Sequence, residues 1–209
     1  MKGLLLKDWY MMKQYCRNYL FIAIGFIALS LIGNDNLFFV FYPFLLCGMI
    51  PVNLLGYDER SRWLQYSGTM PYTKTQVVSG KYLIGLLAQL AVLIIMGVVQ
   101  AAKMMMVGDF ILENFAMLLL LMLIVSTLTS AIPLPFIFKL GVEKGRMAYY
   151  VMIGFVCGVS VLASNFYQDQ LGIEIRPNLL LAVLVVAGIG IYIFSWYMSI
   201  VFYKKREIQ

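Results

Sequence analysis

Residues 56–82 read GYDERSRWLQYSGTMPYTKTQVVSGKY, a polar island between two long apolar runs at 36–56 and 79–102. It brings together Asp58, Glu59, Arg60, Arg62, Lys74 and Lys81. Its spacing predicts order. Asp58 is placed to cap a short helix that carries Trp63 and Tyr66 one turn apart on one face. Gly68 and Pro71 end that helix. Thr73 and Gln76 then have the S/T-x-x-E/Q spacing of a capping box, so a new helix starts there and runs into the next apolar stretch. A capped helix at a membrane surface with a projecting tryptophan is expected to dock a partner. The plainer alternative is a loop held on one side by its positive charge.

Outward from the island, the composition decides the class. Of 209 residues, 62% are hydrophobic and 12% charged, with a mean hydropathy of +0.86. That is too apolar for a soluble globule. The expectation is an all-α membrane protein, a single transmembrane domain over 1–209. Its six apolar segments fall at about 18–33, 36–56, 79–102, 114–138, 147–166 and 179–203, each near the roughly 20 residues a span requires. The first is short and is expected to recruit Arg17 and Asn18 as snorkelling ends. Pro43 and Pro51 should kink or break the second. Pro133 and Pro135 lie near the end of the fourth.

Ahead of them, residues 2–17 form an amphipathic pattern. Leu4, Leu5, Trp9, Met11, Met12, Tyr15 and Cys16 oppose Lys2, Lys7, Lys13, Gln14 and Arg17, with Asp8 interrupting the apolar side. Such a helix lies in the membrane interface. A cleaved signal peptide with 19–33 as its apolar core is the alternative, but no A-x-A-like site follows it.

The net charge of +6 is spread over short loops, which points to orientation in the bilayer and not to nucleic acid. One side collects Lys2, Lys7, Lys13 and Arg17, then Arg60, Arg62, Lys74 and Lys81, then Lys139, Lys144 and Arg146, then Lys204, Lys205 and Arg206. These are all but two of the 16 Lys and Arg residues. Lys103 and Arg176 stand opposite, beside Asp35, Asp109, Glu113, Asp169 and Glu174. Both termini are therefore expected in the cytoplasm.

Several chemistries are missing. There is no histidine, which removes histidine-based metal sites and histidine general bases. Cys16, Cys47 and Cys157 show no CxxC spacing and read as reduced, structural residues. No ionisable residue sits in the middle of a span, which argues against an ion-coupled transporter. Intramembrane proteolysis lacks its HExxH or paired aspartates, and GVEKGR at 141–146 lacks the spacing of a phosphate-binding loop. The notable polar groups at membrane depth are Asn53, Gln89, Gln100 and the patch Ser126, Thr127, Thr129 and Ser130. Gln89 and that patch are candidates for lining a pathway, interhelical hydrogen bonding being the alternative. Gly154 and Gly158 form a GxxxG that suits helix packing, within one subunit or across a dimer.

Six spans, cytoplasmic termini, an amphipathic leading helix and an ordered first cytoplasmic loop resemble the permease subunits of type-two ABC exporters. The stretch YDERSRWLQYSGTMPYTKTQVVSGKYL carries the closest resemblance. It is similar to the turn of small bacterial members in which a tryptophan helix leads through "lPvtr-qiV-sKY" into the third span. The resemblance implies that Tyr57, Asp58, Glu59, Arg60, Ser61, Arg62, Trp63, Leu64, Gln65 and Tyr66 form a coupling element, within a cytoplasmic loop at 57–78, that inserts into a separate ATPase. It implies two ATPase subunits, which would hold ATP and Mg, and a second permease, either this chain or a paralogue. This chain itself would bind no cofactor or metal and catalyse nothing. It would lie multi-pass in the bacterial plasma membrane. Some small permeases that it resembles export phenol-soluble modulins or bacteriocins, so amphipathic peptides are the expected cargo. Segment 167–178, YQDQLGIEIRPN, is too short for the large external insert of other members. The reading from a different class is a non-transporting membrane scaffold whose loop docks another partner.

Overall fold

Why the chain becomes helical follows from its apolar runs, each long enough to satisfy its own backbone hydrogen bonds without water. The structure, a computed structural model, describes residues 2–32, 37–67, 69, 71–108, 111–147, 150–151, 154 and 177–205. Among the described residues run α1 Lys2–Tyr15, α2 Arg17–Ile32, α3 Leu37–Arg60, α4 Trp63–Ser67, α5 Lys74–Val107, α6 Leu112–Ala131, α7 Pro133–Leu140 and α8 Pro177–Lys205. Residues 142–147 are also helical. No strand occurs among the described residues.

Among the described residues, four stretches are long and apolar enough to cross a membrane: Phe38–Arg60, Lys74–Val107, Leu112–Leu140 and Leu184–Lys205. The first expected span is the shorter apolar helix α2, and it does begin at Arg17. The fifth, 147–166, falls mostly outside the described residues, as do Cys157, Gly158 and the segment 167–176.

Two local expectations changed. Pro43 and Pro51 do not break the second span, because α3 continues through both. The helix also overruns the expected loop boundary and ends only at Arg60. In the fourth span a turn at Ile132, still in the right-handed helical region, joins α6 to α7, and Pro133 opens α7. Proline lacks an N–H to donate back, but its fixed φ suits a first helical turn. The capping box at the start of α5 is present in full. Gln76 N donates to Thr73 Oγ1 at 3.3 Å, and Thr73 N donates to Gln76 Oε1 at 3.2 Å. Gly108, at φ 82, closes α5 in the left-handed conformation that glycine adopts without a Cβ clash.

The core has two parts. In one, Ala23, Phe44, Cys47, Ile50, Leu54, Ile84, Met96 and Met122 join α2, α3, α5 and α6, with Cys16 beside them at the α1–α2 junction. In the other, Val52, Val78, Tyr82, Leu134, Ile137, Phe138, Tyr192 and Tyr203 join α3, α5, α7 and α8. Helix α3 and α6 approach closely at Gly48, where a Cβ would meet the Thr129 side chain well inside van der Waals distance. Outward, Phe21, Ile24, Ile94, Val98, Val186, Ile193 and Phe194 are exposed. A contiguous apolar exterior over a packed core is what lipid, not water, stabilises.

Candidate ATPase-coupling site

The polar island is held by a buried cluster of four charges. Asp58 lies in the last turn of α3, not at a helix cap as its spacing suggested, and is 1% exposed. Its Oδ1 accepts from Lys7 Nζ at 2.7 Å, and its Oδ2 faces Lys81 Nζ at 2.6 Å. Lys81 also donates to Asp8 Oδ1 at 2.7 Å, and Lys7 stands 3.4 Å from the same oxygen. Two lysines and two aspartates thus balance to zero. That balance is what permits Asp8, Asp58 and Lys81 to be buried. The cluster ties α1 to the end of α3 and to the second turn of α5.

Lys7 does more than neutralise. Its ammonium sits 3.4 Å from the centroid of the Trp63 ring, a cation–π contact that holds α4 against α1. Trp63 is therefore half-buried and packs on the second core cluster, whereas Tyr66 is 61% exposed. The projecting aromatic of α4 is Tyr66. Arg62, at φ 52, makes the left-handed turn between α3 and α4.

The remaining residues of the stretch are placed as follows. Tyr57 stacks on Tyr15 with ring centroids 4.3 Å apart. Glu59 Oε2 accepts from the Val142 backbone N–H at 3.2 Å, joining the stretch to the 142–147 helix. Ser61 Oγ donates to the Asp58 carbonyl at 3.3 Å, and Arg60, Ser61 and Arg62 are exposed. Leu64 and Gln65 belong to α4, and their side chains lie outside the described residues.

The opening of α5 is fixed from the other side as well. Tyr82 Oη lies 2.7 Å from both Ser195 Oγ and Ser199 Oγ on α8. Tyr192 Oη donates to the Tyr82 carbonyl at 3.0 Å, and Trp196 Nε1 donates to Ser79 Oγ at 3.1 Å. The Tyr82 and Trp196 rings stack 5.5 Å apart. Ser79 and Tyr82 thus hold α8, while Lys81 holds α1 and α3. Cys16 is fully buried near the cluster, and burial pushes its thiol up to about 11, with Lys81 opposing the shift.

The candidate pathway residues are brought together, but inside the bundle. Gln89 Nε2 donates to the Phe44 carbonyl at 3.2 Å and to Ser130 Oγ at 3.3 Å. Thr127 and Thr129 donate to the carbonyls of Ile124 and Val125. Ser126, Thr129 and Ser130 are buried. Gln89, Ser126 and Thr127 also edge an apolar cavity of about 290 Å³ bounded by α5, α6 and α8. Gly154 is exposed, with nothing within 4 Å of where its Cβ would stand.

Sequence reasoning missed Lys7, Asp8 and Lys81 as parts of this site. The signal was there in Asp8, an acid on the apolar face of an amphipathic helix, which demands a cation from elsewhere in the fold.

An apolar-surfaced helical bundle with its buried charges gathered at one end is a multi-pass membrane protein. Residues 3–204 match the family model described as ABC-2 family transporter protein, and the chain belongs to that family. No curated protein and no solved structure matched it. Membership makes the chain the membrane component of an ABC transporter, a class that works with an ABC ATPase.

Proposed function

We propose that this chain is the permease of an ATP-driven exporter, with six spans, α1 lying in the interface, and both termini in the cytoplasm of a bacterial cell. The segment Tyr57–Tyr66 is the coupling element. Two permeases, identical or paralogous, form the pathway, and two ATPase subunits carrying ATP and Mg dock beneath them. ATP binding draws the ATPases together and pushes the coupling elements, so that the bundles rock between inward-open and outward-open states. Amphipathic peptides are the cargo. Gln89 with Ser126, Thr127, Thr129 and Ser130 forms the polar layer nearest the pathway.

The observation that supports this reading is the Lys7–Asp8–Asp58–Lys81 cluster. A force on α4 needs a stiff route into the bundle, and a buried ion network at short distances supplies one. Tyr66 is the exposed aromatic that offers a partner groove an anchor, the kind of residue whose truncation costs about 2 kcal/mol or more at an interface. The test is a pull-down of an ABC ATPase co-expressed with this chain, with membrane expression measured in parallel. Tyr66→Ala is expected to weaken capture and substrate-dependent ATP turnover while expression stays normal. Full capture and turnover by Tyr66→Ala and by a Trp63→Ala/Tyr66→Ala double variant would reduce the element to a tether. A scaffold without transport predicts capture without any turnover that responds to substrate.

A further inference from the structure

A second constellation occupies another stripe of α3. Asn53, Gly56, Tyr57 and Arg60 fall at i, i+3, i+4 and i+7, one face of a helix. Across from them stands Arg146, and between lies a cavity of about 250 Å³. Arg146 Nη2 donates to Asn53 Oδ1 at 3.3 Å. It lies so close over Gly56 that a Cβ there would stand 3.0 Å from the guanidinium. The stacked rings of Tyr15 and Tyr57 form one wall.

What distinguishes this cavity is its surplus of donors. Asn53 is 9% exposed, and its buried amide nitrogen has no partner among the described residues. Neither Arg60 nor Arg146 forms an ion pair with a described carboxylate, all four such pairs belonging to the Lys7–Asp8–Asp58–Lys81 cluster. The nearest acid in sequence, Glu59, is engaged by the Val142 backbone. Two guanidiniums and an unspent amide converge where, among the described residues, no carboxylate answers them and Asn53 Oδ1 takes one N–H of Arg146. A guanidinium presents a planar fork of N–H donors that matches phosphate oxygens in pairs. Tyr19 and Met49 continue the lining towards the apolar part of the bundle, and basic pockets between membrane helices suit lipid headgroups.

We propose that this cavity binds the phosphate headgroup of an anionic phospholipid. Arg60 and Arg146 take the phosphate oxygens, the Asn53 amide donates to one of them, and the acyl chains leave past Tyr19 and Met49. Tyr57 and Arg60 also belong to the proposed coupling element, but lipid binding is read on the purified chain without an ATPase, so the two proposals fail separately.

The experiment measures thermal stability and native mass spectra of detergent-purified protein titrated with phosphatidylglycerol, phosphatidylcholine or inorganic phosphate. Phosphatidylglycerol is expected to raise the melting temperature and to remain bound in the spectra, while phosphatidylcholine does neither. Arg146→Gln and, separately, Arg60→Gln should each lower the phosphatidylglycerol affinity by about tenfold, the loss of one charge-assisted pair. Lys144→Gln removes an equal charge from an exposed neighbour and should leave affinity unchanged. Arg60 is exposed, so its variant keeps the test open if Arg146→Gln fails to fold. Equal losses in Lys144→Gln would mean diffuse surface attraction and overturn the proposal. So would stabilisation by millimolar inorganic phosphate matching that of the lipid, which would assign the pocket to free phosphate. Preference for a peptide carboxylate over phosphatidylglycerol in the same titration would overturn it as well.

Discussion

Asp58 and Lys81 show how a single charge is read differently at the two levels of description. On the page, Lys81 looks like one more cation that keeps a loop on its side of the membrane; in the fold it is 1% exposed between two aspartates. Removing one partner from such a network strands the other, a cost of about 3–5 kcal/mol. Asp58→Asn or Lys81→Met is therefore expected to lower the melting temperature of the purified protein sharply. The double variant leaves Lys7 beside Asp8 and should cost clearly less than the sum of the two singles. Strict additivity in that cycle would mean the pair is not coupled. Cys16 gives an independent probe. Its thiol is raised from 9.0 to about 11, so at a fixed pH below both values the thiolate fraction falls by about a hundredfold. In a variant lacking Cys47 and Cys157, maleimide labelling of Cys16 near neutral pH should be at least that much slower than in the denatured chain. Comparable rates would show that the α1–α2 junction is open.

At the scale of elements, the capping box of α5 was fully legible, because Thr73 and Gln76 act within one turn and need no distant partner. The helical runs were legible for a similar reason, since in an apolar solvent length and hydropathy suffice. What sequence could not show was any contact made across the bundle. Trp63 and Tyr66 are one turn apart and looked equivalent, yet Lys7, 56 positions before Trp63, draws one inward and leaves the other exposed. Asp58 looked like a cap because caps are local, and its true partners lie on α1 and α5. The prediction at this scale concerns α4. Trp63→Ala removes its anchor, so limited proteolysis between residues 61 and 73 is expected to speed up, while Tyr66→Ala leaves the rate unchanged. Equal protection in both would mean that the Lys7 contact does not hold α4.

For the whole molecule, the charge partition makes the sharpest claim. Single cysteines introduced at 35, 109 and 170 in a cysteine-free background should react with an impermeant thiol reagent outside intact cells. Those at 62, 144 and 206 should react only after the membrane is opened. Outside labelling at 62 would invert the proposed orientation, and with it the side on which an ATPase docks. The same experiment reaches stretches that lie outside the described residues, where the fifth span and the final outer loop are expected.

The length of α5 has a mechanical consequence. Its 34 residues, at 1.5 Å each, make a rod of about 50 Å, longer than the roughly 30 Å hydrocarbon layer. It contains no proline, and its grip on α1, α3 and α8 falls at Ser79, Lys81 and Tyr82. If the contacts of Gln89 with Phe44 and Ser130 farther along release during turnover, that grip becomes the fulcrum of a lever, about 10 Å from one end and with an opposite arm of about 40 Å. A 1 Å push at Lys74 would then swing the Val107 end by roughly 4 Å in the opposite sense, if the helix stays rigid. Spin labels at Met106 and Leu184 should accordingly change separation several times more than labels at Lys74 and Lys205 when the transporter turns over. Equal changes at both ends would mean that α5 slides as a piston and amplifies nothing.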